Sequence, residues 1–336
     1  MSQDTLHLVV PSLLSPPEGL HGRTALRAPA VEKLLGWSSS SGGAKEYEPQ
    51  LFALMGLPEE AAAAPYALMG EGIDPGEEIW MQADPVHMKV DLTRLILFEG
   101  RNLEIRHDEA EALAQEFNDH FAGEGLEMIA PHPERWYLRL SRLPRLKTSP
   151  LSLAAGRSPD AFLPKGEDAR YWQSLLTEAQ MLFHASPVNK AREKAGHPAI
   201  NALWVHGPGR RAESLAPATH FKMIVADDPL ALGLAKAAGA IRTELAQAIH
   251  ADVLCVLHAF QHAELSADER GWKEVLVEFD QWLGNVFRWL NEKRERSLVL
   301  YPCNGTSYRL SGQKRQRFWH RSPPFHQYLT PSLLHS

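Results

Sequence analysis

The chain has 336 residues, room for two domains at about 150 residues each, and its 44% hydrophobic and 23% charged content is that of a folded globular protein, not a disordered one. A net charge of −6 argues against a general polyanion binder, so nucleic acid is not an expected partner. The two cysteines, Cys255 and Cys303, form no CxxC pair and offer neither a disulfide framework nor a structural zinc cluster, which fits a reducing cytoplasm. No apolar run approaches the ~18 residues of a membrane span, and the apolar stretch before Pro17 has no basic residue ahead of it, so neither export nor anchoring is expected.

Leu6 to Val10 reads as a buried strand ended by Pro11, Pro29 to Leu35 as a short helix, and Trp37 to Gly43 (WSSSSGG) as a surface loop. Gln50 to Met55 is helical, Leu57 to Pro65 is a connection, and Glu78 to Gln82 and Leu95 to Phe98 are strands. The clearest helix runs from Arg106 to Phe121: Asp108 is placed as its N-cap, and Ala112, Leu113, Phe117 and Phe121 share a face. Strands at Glu127 to Ala130 and Trp136 to Leu140 precede a second strong helix, Asp168 to His184. Ala202 to Val205 is a strand stopped by Gly207-Pro208-Gly209. After it, Met223 to Ala226, Pro229 to Ala238, Val253 to Leu257, Lys273 to Asn291 and Leu298 to Tyr301 alternate strand, helix, strand, helix, strand. This alternation predicts an α/β protein whose mostly parallel sheet is covered by helices on both faces. The expected division is a discontinuous core, 1–83 with 185–325, an inserted smaller α/β domain at 84–184, and a tail at 326–336.

The densest polar constellation is Ser186 to Arg211, with Asn189, Lys190 and Arg192 after a helix, Asn201 before a strand, and Arg210 and Arg211 at that strand's carboxyl end. Ligands of open α/β sheets bind at such ends, and arginine forks suit phosphate or carboxylate. The competing reading is a turn with solvated basic residues. His258 and His262 have i,i+4 spacing, but Ala259 stands where a zinc protease needs glutamate, so metal ligation is the lesser reading for them. Lys314 to Arg321 interleaves basic and aromatic residues, either as a nucleic-acid surface or, in this acidic chain, as a tail packing on the body.

The stretch Pro187-Val188-Asn189-Lys190-Ala191-Arg192, then Gly196, Pro198, Ala199 and Asn201, then Trp204 and Gly207-Pro208-Gly209, resembles cofactor-independent phosphoglycerate mutases of the archaeal type, which carry a similar PVNxxR…G…PAN…W stretch. Pro65 to Ile73 is similar to a further family landmark, and within the broader group the chain looks closest to bacterial RpfE-type regulatory proteins. The resemblance implies an alkaline-phosphatase-like core with an inserted cap. It also implies a chemistry in which two metal ions, manganese or zinc, activate a serine held among aspartates and histidines.

Set against that pattern, most catalytic positions are replaced. Pro11-Ser12 stands for an Asp-Gly, Tyr47 and Glu48 for the nucleophilic serine and its neighbour, Ala63 and Met81 for two arginines, Ala263 and Ala267 for an aspartate and a histidine, and Cys303-Asn304 for a late Asp-His pair. His258 is kept, and Asp280 and His320 are isolated candidate ligands. The resemblance therefore implies a regulatory or ligand-binding protein on a degenerate scaffold, without a resident cofactor. Asn189, Arg192, Asn201 and Arg210 would bind a phosphorylated or acidic small molecule, and a protein partner would carry the regulation. The alternative is an active mutase or related phosphotransferase with a displaced metal site, for example His258, His262, Glu264 and Asp268. A nucleic-acid-linked regulator is the third reading.

Overall fold

A computed structural model describes residues 4–91, 94–215, 221–311 and 322–330. The chain forms two compact units, Met1–Glu60 with Ser214–Ser336, and Ala61–Glu213.

The first unit opens with β1 (Thr5–Val9), buried at every position as a strand covered on both faces must be. Helix α1 (Pro29–Trp37) starts with proline at its first turn, where no amide partner is lost, and buries Val31, Leu34 and Leu35. The serine run after it is not a loop but β2 (Ser39–Gly42), wholly exposed. As the last strand of its sheet it needs partners on one side only, so low β-propensity is tolerated there. Helix α2 (Tyr47–Leu54) ends this segment.

The second unit begins with α3 (Ala64–Gly70), whose first two residues are the last two of the connection expected at Leu57 to Pro65. The long strand β3 (Ile79–Asp91) and β4 (Arg94–Glu99) follow, then α4 (His107–His120). The N-cap of α4 is Arg106 rather than Asp108, because Glu109 reaches back to accept the Arg106 amide at 2.9 Å and so sets the first turn two residues earlier. Next come β5 (Leu126–His132) and β6 (Arg135–Leu140), and a small pair, β7 (Leu146–Lys147) and β8 (Lys165–Gly166), with α5 (Leu151–Ala154) between them. Helices α6 (Ala169–Ala185) and α7 (Pro187–Lys194) lead to β9 (Ala202–Gly209). Gly207 does not stop β9. Its φ of +60° and the approach of Ala63, whose Cβ would lie 2.9 Å from any Cβ at position 207, are what require glycine there. The sheet runs β4-β3-β6-β5 with β9 on β3, and its helix-covered face packs Met81, Phe117, Trp136, Leu138, Trp172 and Phe183.

Back in the first unit, β10 (Met223–Val225), α8 (Pro229–Ala237), β11 (Ile241–Arg242), β12 (Val253–Val256), α9 (Ala259–Leu265), α10 (Glu269–Glu292), β13 (Ser297–Tyr301) and β14 (Thr306–Ser311) complete a seven-stranded sheet of order β11-β10-β12-β1-β13-β14-β2. The first five of these strands are parallel, and β14 and β2 add two antiparallel pairings at one edge. Leu6, Leu8 and Val10 meet Trp272, Leu276, Phe279 and Leu283 of α10. The fold is thus mixed α/β with a mostly parallel central sheet flanked by helices. Among the described residues no helix is long and apolar enough to cross a membrane.

The units do not follow the boundaries drawn on the sequence. Strand β3 pairs with β6, β4 and β9, so 79–83 and 202–209 belong to one sheet, and the whole Asn189 to Gly209 stretch lies in the second unit. Nor is 326–330 a free tail: Phe325 is fully buried, and the Thr330 amide donates to the Leu14 carbonyl at 2.8 Å.

Candidate functional site

The polar constellation of the second unit is an internal clasp. Ser186 caps α7 by accepting the Val188 amide at 3.1 Å, and its hydroxyl donates to Glu116 at 3.0 Å. One turn on, the Asn189 carboxamide donates to the carbonyls of Phe183 and Ile200 and accepts from the Ile200 amide, each at 2.8 Å. Arg192, 2% exposed, donates from Nε to the Pro198 carbonyl at 3.0 Å, from Nη1 to Glu109 at 2.5 Å and from Nη2 to the Leu103 carbonyl at 2.5 Å. Asn201 pairs with both backbone groups of Met88, at 2.8 and 2.9 Å.

These contacts correct the anion-binding expectation for Asn189, Arg192 and Asn201. The buried guanidinium donates from each of its three nitrogens to a protein acceptor, and the two carboxamides are bonded to backbone groups. What these residues do is fasten α7 and the turn before β9 to α4 and β3. Arg210, beyond the end of β9, is exposed and remains on the surface.

In the first unit, parallel pairing brings the carboxyl ends of β10, β12, β1 and β13 to one sheet edge, where ligands of such sheets bind. There stand Asp227 and Asp228 after β10, His258 after β12, Ser12 after β1 and Cys303 after β13. Ser12 and Cys303 both adopt positive φ, 63° and 57°. The Ser12 hydroxyl donates to Glu264 of α9 at 2.5 Å, and the Trp272 indole N–H holds the Ser12 carbonyl at 3.3 Å.

Tyr47, the first residue of α2, is buried with its ring edge-on to His258 at 4.4 Å, and its hydroxyl donates to Asp228 at 2.5 Å. The same Asp228 oxygen caps α8 by accepting the Ala231 amide at 2.8 Å. Burial, with the Asp228 carboxylate beside it, holds the Tyr47 phenol well above its ordinary range. Burial likewise raises the Cys303 thiol, and it pushes Cys255 up to about 12, so neither sulfur is a thiolate at neutral pH. His258 keeps Nδ1 3.7 Å from Asp227, an ion-pair distance and not a hydrogen bond, and the ring holds the Asp227 carboxyl down at about 2. His262 stacks on His258 with centroids 5.8 Å apart. An open cleft of about 490 Å³ beside α2 is lined by Lys45 against Glu46 and Glu59, a wall with no preference for anions.

The metal-ligand candidates do not assemble. Asp280 accepts the amides of Ala30 and Val31 at 2.8 and 2.9 Å, so it caps α1 from α10. Glu264 is engaged by Ser12, and Asp268 caps α10 through the Gly271 amide at 2.9 Å. His320, with Lys314 to Arg321, lies outside the described residues. Among the described residues no three His, Cys, Asp or Glu side chains gather as a metal would require. A phenol bound to a capping aspartate, with protonated Cys303 nearby, does not fit a two-metal centre.

The residues that sequence reasoning missed are Asp227 and Asp228. Their signal was local: an aspartate directly before Pro229, the usual pairing of N-cap and first helical residue.

No family model matches the sequence, and no curated protein does. Among solved structures, the PH0037 protein from Pyrococcus horikoshii is similar with a TM-score of 0.54 and 13% identity, over 93% of this chain and 88% of that one. The cofactor-independent phosphoglycerate mutase from Thermoplasma acidophilum DSM 1728 is similar with a TM-score of 0.46 and 15% identity, over 92% and 89% of the two chains. At such identities the likeness to the Pyrococcus protein concerns the fold alone.

Proposed function

We propose that this chain is a regulatory or ligand-binding protein, of the kind represented by the RpfE-type proteins, on a phosphoglycerate-mutase-like scaffold that does not carry out two-metal phosphoryl transfer. One observation supports the reading most: at the position that matches the family's nucleophile stands Tyr47, buried and donating to Asp228 at 2.5 Å. A buried phenol with so raised a pKa, held by Asp228, is a poor nucleophile. Asn189, Arg192 and Asn201 no longer support a ligand, because the clasp uses them. Any phosphorylated or acidic metabolite has to be met by exposed groups such as Arg210, and regulation by contact with a protein partner.

Elemental analysis of protein purified without chelator, paired with a phosphoglycerate mutase assay supplemented with manganese, tests the reading. The expected result is a folded protein with well under one divalent ion per chain and no turnover. Two ions per chain with turnover would falsify it.

A further inference from the structure

The second unit holds a cluster that none of the foregoing uses. The sheet face opposite its helix-covered core carries Asp84 on β3, His206 on β9 and Glu99 on β4. Glu99 is opposite Val86, and His206 is opposite Gln82, so both flank Asp84 diagonally on one face. Asp84 is 5% exposed, and its Oδ2 meets His206 Nε2 at 3.3 Å. Its other oxygen, Oδ1, and Glu99 Oε1 are buried with no hydrogen-bond partner. Val86, Leu97 and Trp204, beside them in the register, are buried and apolar in their packing. Two carboxylates left in such a layer cost far more ionised than neutral unless each is paired.

We propose that this cluster is a proton-operated latch: with a proton on Glu99, β4 stays seated on β3, and loss of that proton loosens β4 from the sheet. The charged and titratable groups that face it come from every neighbouring element. Arg101, just past β4, favours the ionised Glu99, whereas Asp84 on β3 and Glu134 before β6 oppose it. On β6, Arg135 faces Asp84 and Tyr137 but is bound to Glu71, after α3, at 3.2 Å, and it does not neutralise Glu99. His206 is the side chain that contacts Asp84 Oδ2. Burial is the largest influence on Glu99 and raises its pKa; Arg101 works against that rise, and the two acidic neighbours add to it. A carboxyl raised in the fold binds a proton that the unfolded chain has already lost. Stability is therefore highest below the ordinary glutamate range and falls as pH rises through the folded pKa. The end of β4 is tightly built: a Cβ at Gly100 would lie 3.2 Å from the Pro85 carbonyl and 3.3 Å from Glu134. Movement is thus expected along β4 and not at its exit.

The test is amide hydrogen exchange of the full chain from pH 5 to pH 8, corrected for the intrinsic pH dependence of exchange, in the wild type and in Glu99→Gln. Protection of the β4 amides is expected to drop about tenfold across that range in the wild type, and to be high and flat in Glu99→Gln, whose neutral carboxamide imitates the protonated acid. In parallel, the Glu99 carboxyl carbon is followed by NMR in the wild type, which needs no variant to fold. It is expected to titrate above the ordinary glutamate range, and nearer to it in Asp84→Asn. A Glu99 that titrates with the exposed glutamates, or a variant whose β4 protection keeps the wild-type pH dependence, overturns the latch.

Discussion

The clasp of the second unit and the sheet edge of the first treat buried polarity in opposite ways. In the clasp of the second unit, the polar atoms of Asn189, Arg192 and Asn201 reach protein acceptors or donors, and seven of those partners are backbone groups. At the sheet edge of the first unit, Tyr47 and Asp228 are satisfied, yet His258 beside them keeps a buried Nδ1 without a hydrogen bond. A fully paired buried network rigidifies and offers nothing to a ligand, whereas an incompletely paired one marks a place where an ancestral chemistry or a present ligand belongs.

The sharpest way to break this contrast is Arg192→Ala. It leaves Glu109 without its buried partner and frees the Leu103 and Pro198 carbonyls, and removal of one member of a buried pair costs about 3–5 kcal/mol. Urea unfolding monitored in the second unit is expected to show a loss of that size. Lysine should recover little, since one ammonium cannot span three diverging acceptors. A loss under about 1 kcal/mol, with an anion affinity that also disappears, would return Arg192 to the role of a ligand residue.

Next in size is a pH effect in the first unit. His7 on β1 is buried against Phe221 and Tyr301, and burial, helped by Arg309, lowers its pKa from 6.5 to about 4. A histidine held neutral in the fold binds its proton first in the unfolded chain. Its contribution is therefore complete above pH 6.5, is lost as pH falls from there to about 4, and changes no further below. Linkage puts the loss at about 3 kcal/mol. His7→Gln should flatten that part of the stability profile while the rest of the acid limb persists. An unchanged slope between pH 6.5 and 4 would mean that the imidazole is hydrated.

Much of this architecture was legible in the sequence, and the limits have physical causes. Helices α4, α6 and α10 announced themselves because burial imposes a period on their apolar residues, and strand β1 because burial on both faces leaves a short apolar run. Strand β2 did not, since an exposed edge strand has no such period, and α7 was masked because its one-turn core face consists of Asn189 and Arg192, which read as surface residues. The same blindness misassigned the site. Whether an arginine is a ligand or a strut depends on acceptors such as the Leu103 carbonyl, brought to it only by the fold. Tyr47 was visible as a replacement, but Asp228, which explains its burial, lies far away in the chain and meets it only at the sheet edge.

The smallest effect separates structure from chemistry at a residue once placed among the metal ligands. Asp280 accepts two amides at the start of α1 from a position on α10, and its carboxyl is raised by burial against the pull of those same amides. A cap of this kind is worth about 1 kcal/mol, so Asp280→Ala should lower the urea midpoint modestly, and Asp280→Asn should restore part of it through its carboxamide oxygen. A metal ligand would behave otherwise: its removal would abolish metal uptake and leave apo-protein stability untouched. Because α1 begins at Pro29, which has no amide to satisfy, the amides of Ala30 and Val31 are the first that need an acceptor, and Asp280 is placed to supply it.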